Sequence, residues 1–293
     1  MKKVSIGSWA YAFAGNHIEL PELCEKLHEL KFDGISMGGF KPHANPEIYD
    51  TPEKRQGLKE LLKKYDLGVA DFACDLWSVS SLVQTEEWIG LFETNSQLAQ
   101  DMGWDYIRVD SGAPPILPDG MDYEQAKAKV ADNFKRIAKI AAQRGQQVVW
   151  EFEPGFVVNE PQNIVAMYDE VKADNFSILF DTCHGHMVSA KASRHIEPNR
   201  GAADIYEFIG MLKGKIGFVH LIDSDGTLNV EGTSTHAPFG LGELNFDKVI
   251  PALLDAGYTT DWWAIDLCEW PDAWQVTADC KAFVDKINEK FCK

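Results

Sequence analysis

A single-domain α/β fold, the (β/α)8 TIM barrel, is what three features of this 293-residue sequence predict. Eight short apolar runs recur along the whole chain, separated by longer amphipathic stretches. That alternation is expected of parallel strands joined by helical crossovers. Several runs are apolar at successive positions instead of alternating, as strands covered on both faces are. No Gly-rich phosphate loop follows an early strand, which argues against a doubly wound open sheet; the nearest match, SMGGF, is too short. No linker interrupts the pattern, so residues 1–293 read as one domain.

The elements follow in order. The start, MKKVSIGSWAYAFAG, imitates a signal peptide in having two lysines followed by apolar residues. Its β-branched and aromatic residues, interrupted by Gly7 and Ser8, lack a leucine-type apolar core, so VSIGSW (4–9) reads as the first strand. LPELCEKLHELK is helical, and FDGISMG (32–38) is the second strand. The GGFKPHANP segment after it is a loop whose His43 either closes over the barrel mouth or sits in a plain turn. LGVADFAC (67–74) is the third strand, EEWIGLFETNSQLAQDMG a helix and YIRVD (106–110) the fourth strand. In EQAKAKVADNFKRIAKIAAQRG apolar residues recur near i, i+3, i+4 and i+7, and Gly145 marks a helix stop. QVVWEFE (147–153), FSILFD (176–181), IGFVHLID (216–223) and WWAIDL (262–267) complete the eight strands.

Composition narrows the function. With 45% hydrophobic and 25% charged residues the chain resembles an ordinary folded soluble protein. Lys plus Arg number 28 against 45 Asp plus Glu, a net charge of -17, which disfavours a nucleic-acid partner needing a basic footprint. Cys24, Cys74, Cys183, Cys268, Cys280 and Cys292 are scattered with no CxxC pair, which suggests a reducing, cytoplasmic compartment. No stretch approaches the roughly 20 apolar residues of a membrane helix. A homo-oligomer is compatible with such a barrel, but no segment names an interface.

In a barrel of this kind chemistry takes place where strands end at the mouth. The fifth strand ends in Glu151 and Glu153, the sixth in Asp181, the seventh in His220 and Asp223, the eighth in Asp266. Taken singly, Asp181 can be a helix N-cap, His220 a hydrogen-bonded core residue and Asp266 a partner of a lysine. Ligand-type residues at the same place on four consecutive strands point instead to a divalent cation that relieves their repulsion. Trp9, Phe40, Trp77, Trp270 and Trp274 can stack on a sugar ring or simply pack. Arg108 and Asp110 on the fourth strand are substrate contacts or an internal ion pair.

WEFEP, FDTCHGHM, FVHLIDSDG, FGLGELNF and AIDL together resemble the xylose isomerase-like TIM barrels, which include sugar isomerases and epimerases, inosose-processing enzymes and endonuclease IV-type proteins. The likeness covers nearly the whole chain, with its specific motifs between about 147 and 270. It implies Glu151, Asp181, His220 and Asp266 as metal ligands, Glu151 and Asp266 being also the acid/base pair. Glu153, on the same strand face as Glu151, rivals it for the first position. His184 matches a substrate-contacting histidine, with His186 assisting it or capping the loop. Two departures stand out. Asp266 replaces the usual Glu, with Glu269 or a histidine able to compensate, and no arginine follows His220, which argues against classical ketose 3-epimerisation.

Three oxygens and one nitrogen suit Mn²⁺ first, then Mg²⁺, Co²⁺ or Zn²⁺. Such an ion acidifies a C–H beside a carbonyl and stabilises the resulting ene-diolate. The expected function is a metal-dependent isomerase or epimerase of a small carbohydrate. The shortage of Lys and Arg near the mouth favours an unphosphorylated keto-sugar or keto-inositol. A dehydratase or lyase, acting on a keto-inositol or an oxo-glycoside, is the alternative from the same site. A nuclease would need more metal ligands, and a sugar-binding module without turnover would not need an intact set.

Overall fold

The computed structural model describes residues 1–13, 15–111, 117–191 and 202–292. Eight parallel strands form the barrel: β1 (Lys3–Ile6), β2 (Gly34–Gly38), β3 (Gly68–Ala73), β4 (Tyr106–Val109), β5 (Gln147–Glu151), β6 (Phe176–Asp181), β7 (Ile216–Leu221) and β10 (Trp262–Ile265). Their order is β1-β10-β7-β6-β5-β4-β3-β2, and a parallel bridge between Gly7 and Ser36 brings the two ends together. The hydroxyls of Ser5 and Ser36, 3.1 Å apart, join across the same seam. The (β/α)8 TIM barrel expected from the sequence is the fold observed.

Helices cover the outside: α1 (Leu20–Glu29), α2 (Pro52–Lys64), α3 (Thr85–Met102), α4 (Tyr123–Gln143), α5 (Pro161–Val171), α6 (Thr182–Ala190), α7 (Ile205–Met211), α8 (Phe246–Asp255) and α9 (Ala273–Phe291). Local chemistry sets their ends. Asp122 and Gln125 form a reciprocal capping box at the start of α4, and Gly145 lies just beyond its end with φ +71°. No helix of the described residues is long and apolar enough to cross a membrane. All six cysteines are unbridged.

The strands are shorter than their apolar runs. The first run leaves the sheet after Ile6 and forms a 3-10 turn over Ser8–Tyr11. The seventh run leaves after Leu221, and its last residue opens an antiparallel hairpin of β8 (Asp223–Leu228) and β9 (Ser234–Ala237) that the sequence analysis did not separate. His43 is buried, and its Nε2–H donates to the Ile18 carbonyl at 2.9 Å. The segment after β2 is therefore a packed turn. Trp274 packs on the Tyr11 ring and under the Lys26 ammonium, and Phe40 packs with Phe13 and Trp9.

Inside the barrel, Ala70, Val149, Leu179, Phe218 and Ala264 form an apolar layer, with Tyr106 and Trp262 packed against it. That layer forms a dry floor under the polar mouth. At the lower rim the Trp262 indole covers Gly34 and Gly68, whose backbones approach closely. A Cβ on Gly34 would lie 2.5 Å from the Gly68 carbonyl oxygen and 2.6 Å from the indole. Gly34→Ala is therefore expected to destabilise the barrel by roughly 1–3 kcal/mol through overpacking, read as a lowered midpoint of urea denaturation.

Candidate active site

The mouth is built from the ends of five strands and the β8–β9 hairpin. Residues two apart share a strand face, so β5 turns Val149 into the apolar layer and Glu151 into the mouth above it. The same spacing places Asp181 above Leu179, His220 above Phe218 and Asp266 above Ala264. All four polar residues are buried, and one donor atom from each lies within 4.8 Å of the others. The structure thus brings together Glu151, Asp181, His220 and Asp266.

Each of the four is held by specific partners. Glu151 accepts the Nε–H of Arg108 on Oε2 at 2.6 Å, and its Oε1 accepts from His220 Nδ1 at 2.8 Å. Asp181 caps α6, its Oδ1 accepting the His184 backbone N–H at 2.8 Å, while its Oδ2 has no hydrogen-bond partner. Helix capping and ligation, weighed as alternatives for Asp181, are compatible because they use different oxygens. Asp266 Oδ1 accepts from Trp9 Nε1 and from the Cys268 backbone N–H, both at 2.8 Å; its Oδ2 lies 3.4 Å from His220 Nδ1. Trp9 thus fixes the Asp266 carboxylate.

Arg108, 8% exposed, also reaches Asp110 and Glu153, each at 3.2 Å. It is the internal ion pair foreseen as one of its two readings. Glu153 lies beside Glu151, accepts from the Thr233 hydroxyl at 2.9 Å and faces His184 Nε2 at 4.0 Å. His184 Nδ1 pairs with the Ser234 hydroxyl at 2.8 Å. His186 instead turns to Glu243, 2.7 Å away, and lies outside the cluster. Trp77 is half exposed against Phe156, while Trp270 and Glu269 line a cleft of about 390 Å³ that opens beside His236.

Sequence reasoning missed His236. The hairpin places its ring 3.5 Å from Asp266 Oδ1 and 3.8 Å from Asp181 Oδ1, with both nitrogens lacking a hydrogen-bond partner. Its ring centroid lies 4.7 Å from that of His184. The available signal was the turn NVEGT between TL and STHA, which reads as a hairpin. Asp223, a strand-end candidate, serves the loop instead. Its carboxylate accepts the backbone N–H groups of Ser224, Gly240, Gly242 and Leu244.

The electrostatics follow from burial against pairing. Burial opposes ionisation of Glu151, but Arg108 and His220 outweigh it and hold the carboxyl down at about 2. Burial likewise opposes charge on Asp266, and His236 and His220 hold it well below the usual carboxylate range. Burial pushes Glu153 up to about 8; Arg108 opposes this, while Glu151 and Asp110 add to it. Burial also lifts Asp181 to about 7. His184 is driven down to about 3 by burial and by His236, whereas Asp266 and Asp181 overcome burial and raise His236 to about 9.

A divalent cation fits this donor set. Three carboxylates and an imidazole converge, and the buried Oδ2 of Asp181 lacks a hydrogen-bond partner. A buried polar atom without a partner is uncommon, and an ion held by this set would satisfy it.

Solved structures share the fold. A D-tagatose 3-epimerase-like protein is 20% identical over 98% of this chain and 99% of that chain, with a TM-score of 0.73. The IolI protein, solved with a binding zinc atom, is 18% identical over 99% of this chain and 100% of that one, with a TM-score of 0.76. The probable 3-DHS dehydratase AsbF from Bacillus anthracis is 17% identical over 97% and 98%, with a TM-score of 0.71. No curated protein sequence matches the chain. The family described as xylose isomerase-like TIM barrel matches residues 24–282, and the chain belongs to that family.

Proposed function

We propose that this protein is a divalent-metal-dependent isomerase or epimerase acting on an unphosphorylated keto-sugar or keto-inositol. The observation that carries the reading is the convergence of donor atoms from Glu151, Asp181, His220 and Asp266 within 4.8 Å. Those four residues would hold the ion, with Mn²⁺ favoured by the oxygen-rich donor set. When bound, the ion would polarise a substrate carbonyl, acidify the adjacent C–H and stabilise the ene-diolate that forms. The likeness to an epimerase-like protein supports the same class of chemistry, and the likeness to IolI, solved with a zinc atom, supports a bound divalent ion.

The side chains divide the proton work. Arg108 keeps Glu151 ionised, so its carboxylate is ready to take the proton from the substrate. Asp266, also held ionised, receives or returns a proton from the β10 side of the mouth. Its shorter side chain is fixed by the Trp9 indole. Neutral His184 and the Glu153 carboxyl face each other at 4.0 Å and can bind a substrate hydroxyl between them. Arg108 directs its contacts to protein carboxylates, which suits an uncharged substrate.

One observation favours a second reading. With a pKa of about 8, Glu153 keeps its proton at neutral pH and can hand it to a departing hydroxyl, as a dehydratase or lyase requires. Mass spectrometry of products from a panel of keto-sugars and inososes separates the two. Unchanged mass supports isomerisation; loss of water or of an aglycone supports elimination.

The purified protein is expected to bind about one divalent ion per chain and to lose turnover on chelation, recovering best with Mn²⁺. Binding must displace protons held by His220 and by Asp181, whose pKa is about 7. Affinity measured by calorimetry is therefore expected to rise between about pH 6 and pH 8. Glu151→Gln is expected to lower kcat by roughly 10²–10⁴-fold and to abolish exchange of the substrate C–H with solvent deuterium. Full exchange in that variant would remove Glu151 as the base.

A further inference from the structure

Asp71 has no role in the chemistry described so far, yet it is one of the least expected residues in the barrel. It is 1% exposed, lies in the middle of the apolar strand β3, and neither carboxylate oxygen has a hydrogen-bond partner. Removing an ionised carboxylate from water without compensation costs several kcal/mol. A position that merely filled space would be better served by an apolar side chain.

The backbone of β3 is built to aim this residue inward. Between β2 and β3 the pairing runs from Ile35↔Val69 to Met37↔Phe72, so three steps along β3 match two along β2. The extra residue is a β-bulge, a feature that redirects side chains near functional sites. Its effect is visible on either side of Asp71. Ala70 belongs to the apolar layer inside the barrel, whereas Phe72 packs outward against Trp104 with ring centroids 5.1 Å apart. In a regular strand those two residues would share a face. The bulge between them turns Asp71 toward the barrel axis.

There Asp71 meets the far edge of His220. Its Oδ2 lies 3.6 Å from Nε2, and that nitrogen is likewise buried with no hydrogen-bond partner. The other ring nitrogen, Nδ1, lies 2.8 Å from Glu151 Oε1 and 3.4 Å from Asp266 Oδ2. The imidazole therefore has one edge on the carboxylate cluster and the other on Asp71. A gap of 3.6 Å is too long for a hydrogen bond, but a small side-chain rotation closes it. Both unsatisfied groups are then served by the same contact.

We propose that Asp71, turned into the barrel by the β3 bulge, is a positioning residue that accepts the Nε2–H of His220 and thereby presents Nδ1 to Glu151, Asp266 and the ion. The part concerning the ion rests on the proposed function above. Metal-binding histidines commonly give their second N–H to such a partner, which fixes the tautomer and the ring orientation. Asp71 itself stays clear of substrate and ion.

The test uses the full chain with ¹⁵N-labelled histidine. In the metal-free wild type, His220 Nε2–H is expected to give a slowly exchanging ring-proton resonance that is lost in Asp71→Ala and retained in the isosteric Asp71→Asn, whose amide oxygen still accepts. Circular dichroism confirms that both variants are folded. Binding of Zn²⁺ is expected to weaken by roughly 10–100-fold in Asp71→Ala and less in Asp71→Asn. In the ¹¹³Cd²⁺-loaded wild type, coupling to ¹¹³Cd should appear at Nδ1. Equal Zn²⁺ affinity and an unchanged Nε2–H resonance in Asp71→Ala would overturn the proposal, as would ¹¹³Cd coupling at Nε2. If the wild type took up no metal while the resonance still depended on Asp71, the metal-dependent function would fail and the positioning of the imidazole would stand.

Discussion

Mutual repulsion among buried carboxylates is the constraint around which the mouth of this barrel is organised. Asp71, Asp110, Glu151, Glu153, Asp181 and Asp266 are all nearly inaccessible to solvent. So many buried carboxyl groups are tolerated only where cations and hydrogen-bond donors stand between them, or where one keeps its proton, as Glu153 does. Arg108 joins three of them on the β4–β5 side, while His220 and His236 stand among those on the β6–β10 side. The apolar layer beneath keeps water out from below and so strengthens every charge–charge interaction above it. A divalent ion would complete this balance, and the orientation of each side chain is consistent with that need.

The barrel architecture was legible in the sequence because covered parallel strands leave apolar runs that are hard to mistake. The strand ends were less so. Apolar runs such as VSIGSW and IGFVHLID continue past the point where the backbone leaves the sheet, since residues entering the mouth are buried as thoroughly as those in the strand. Hydrophobicity reports burial, and burial does not stop where the ladder of hydrogen bonds stops.

The four convergent ligand-type residues were legible for a related reason: each lies near a strand end, two residues beyond an interior apolar position. His236 and Asp71 escaped that rule in different ways. His236 arrives from a hairpin with short, polar strands, and its place in the mouth depends on how that hairpin folds back. Asp71 sits in mid-strand, and only the bulge, which depends on pairing with β2, decides which way it points. The ion pair of Arg108 with Asp110 was visible as an option in the sequence, but its further pairing with Glu151 and Glu153 depends on distances across strands that the sequence does not give.

The Asp223 carboxylate has a consequence of its own. By gathering four backbone amides at the base of the β8–β9 hairpin, it staples the departing and returning chain to each other. The segment between those staples carries Thr233, Ser234 and His236 to the mouth while contributing nothing to the barrel ladder. A cassette rooted in this manner can be exchanged for one of another length or sequence without reopening the cylinder. Substrate preference could then diverge by swapping a single excursion of the chain, and because His236 stands beside Asp181 and Asp266 the swap would retune the cation grip as well.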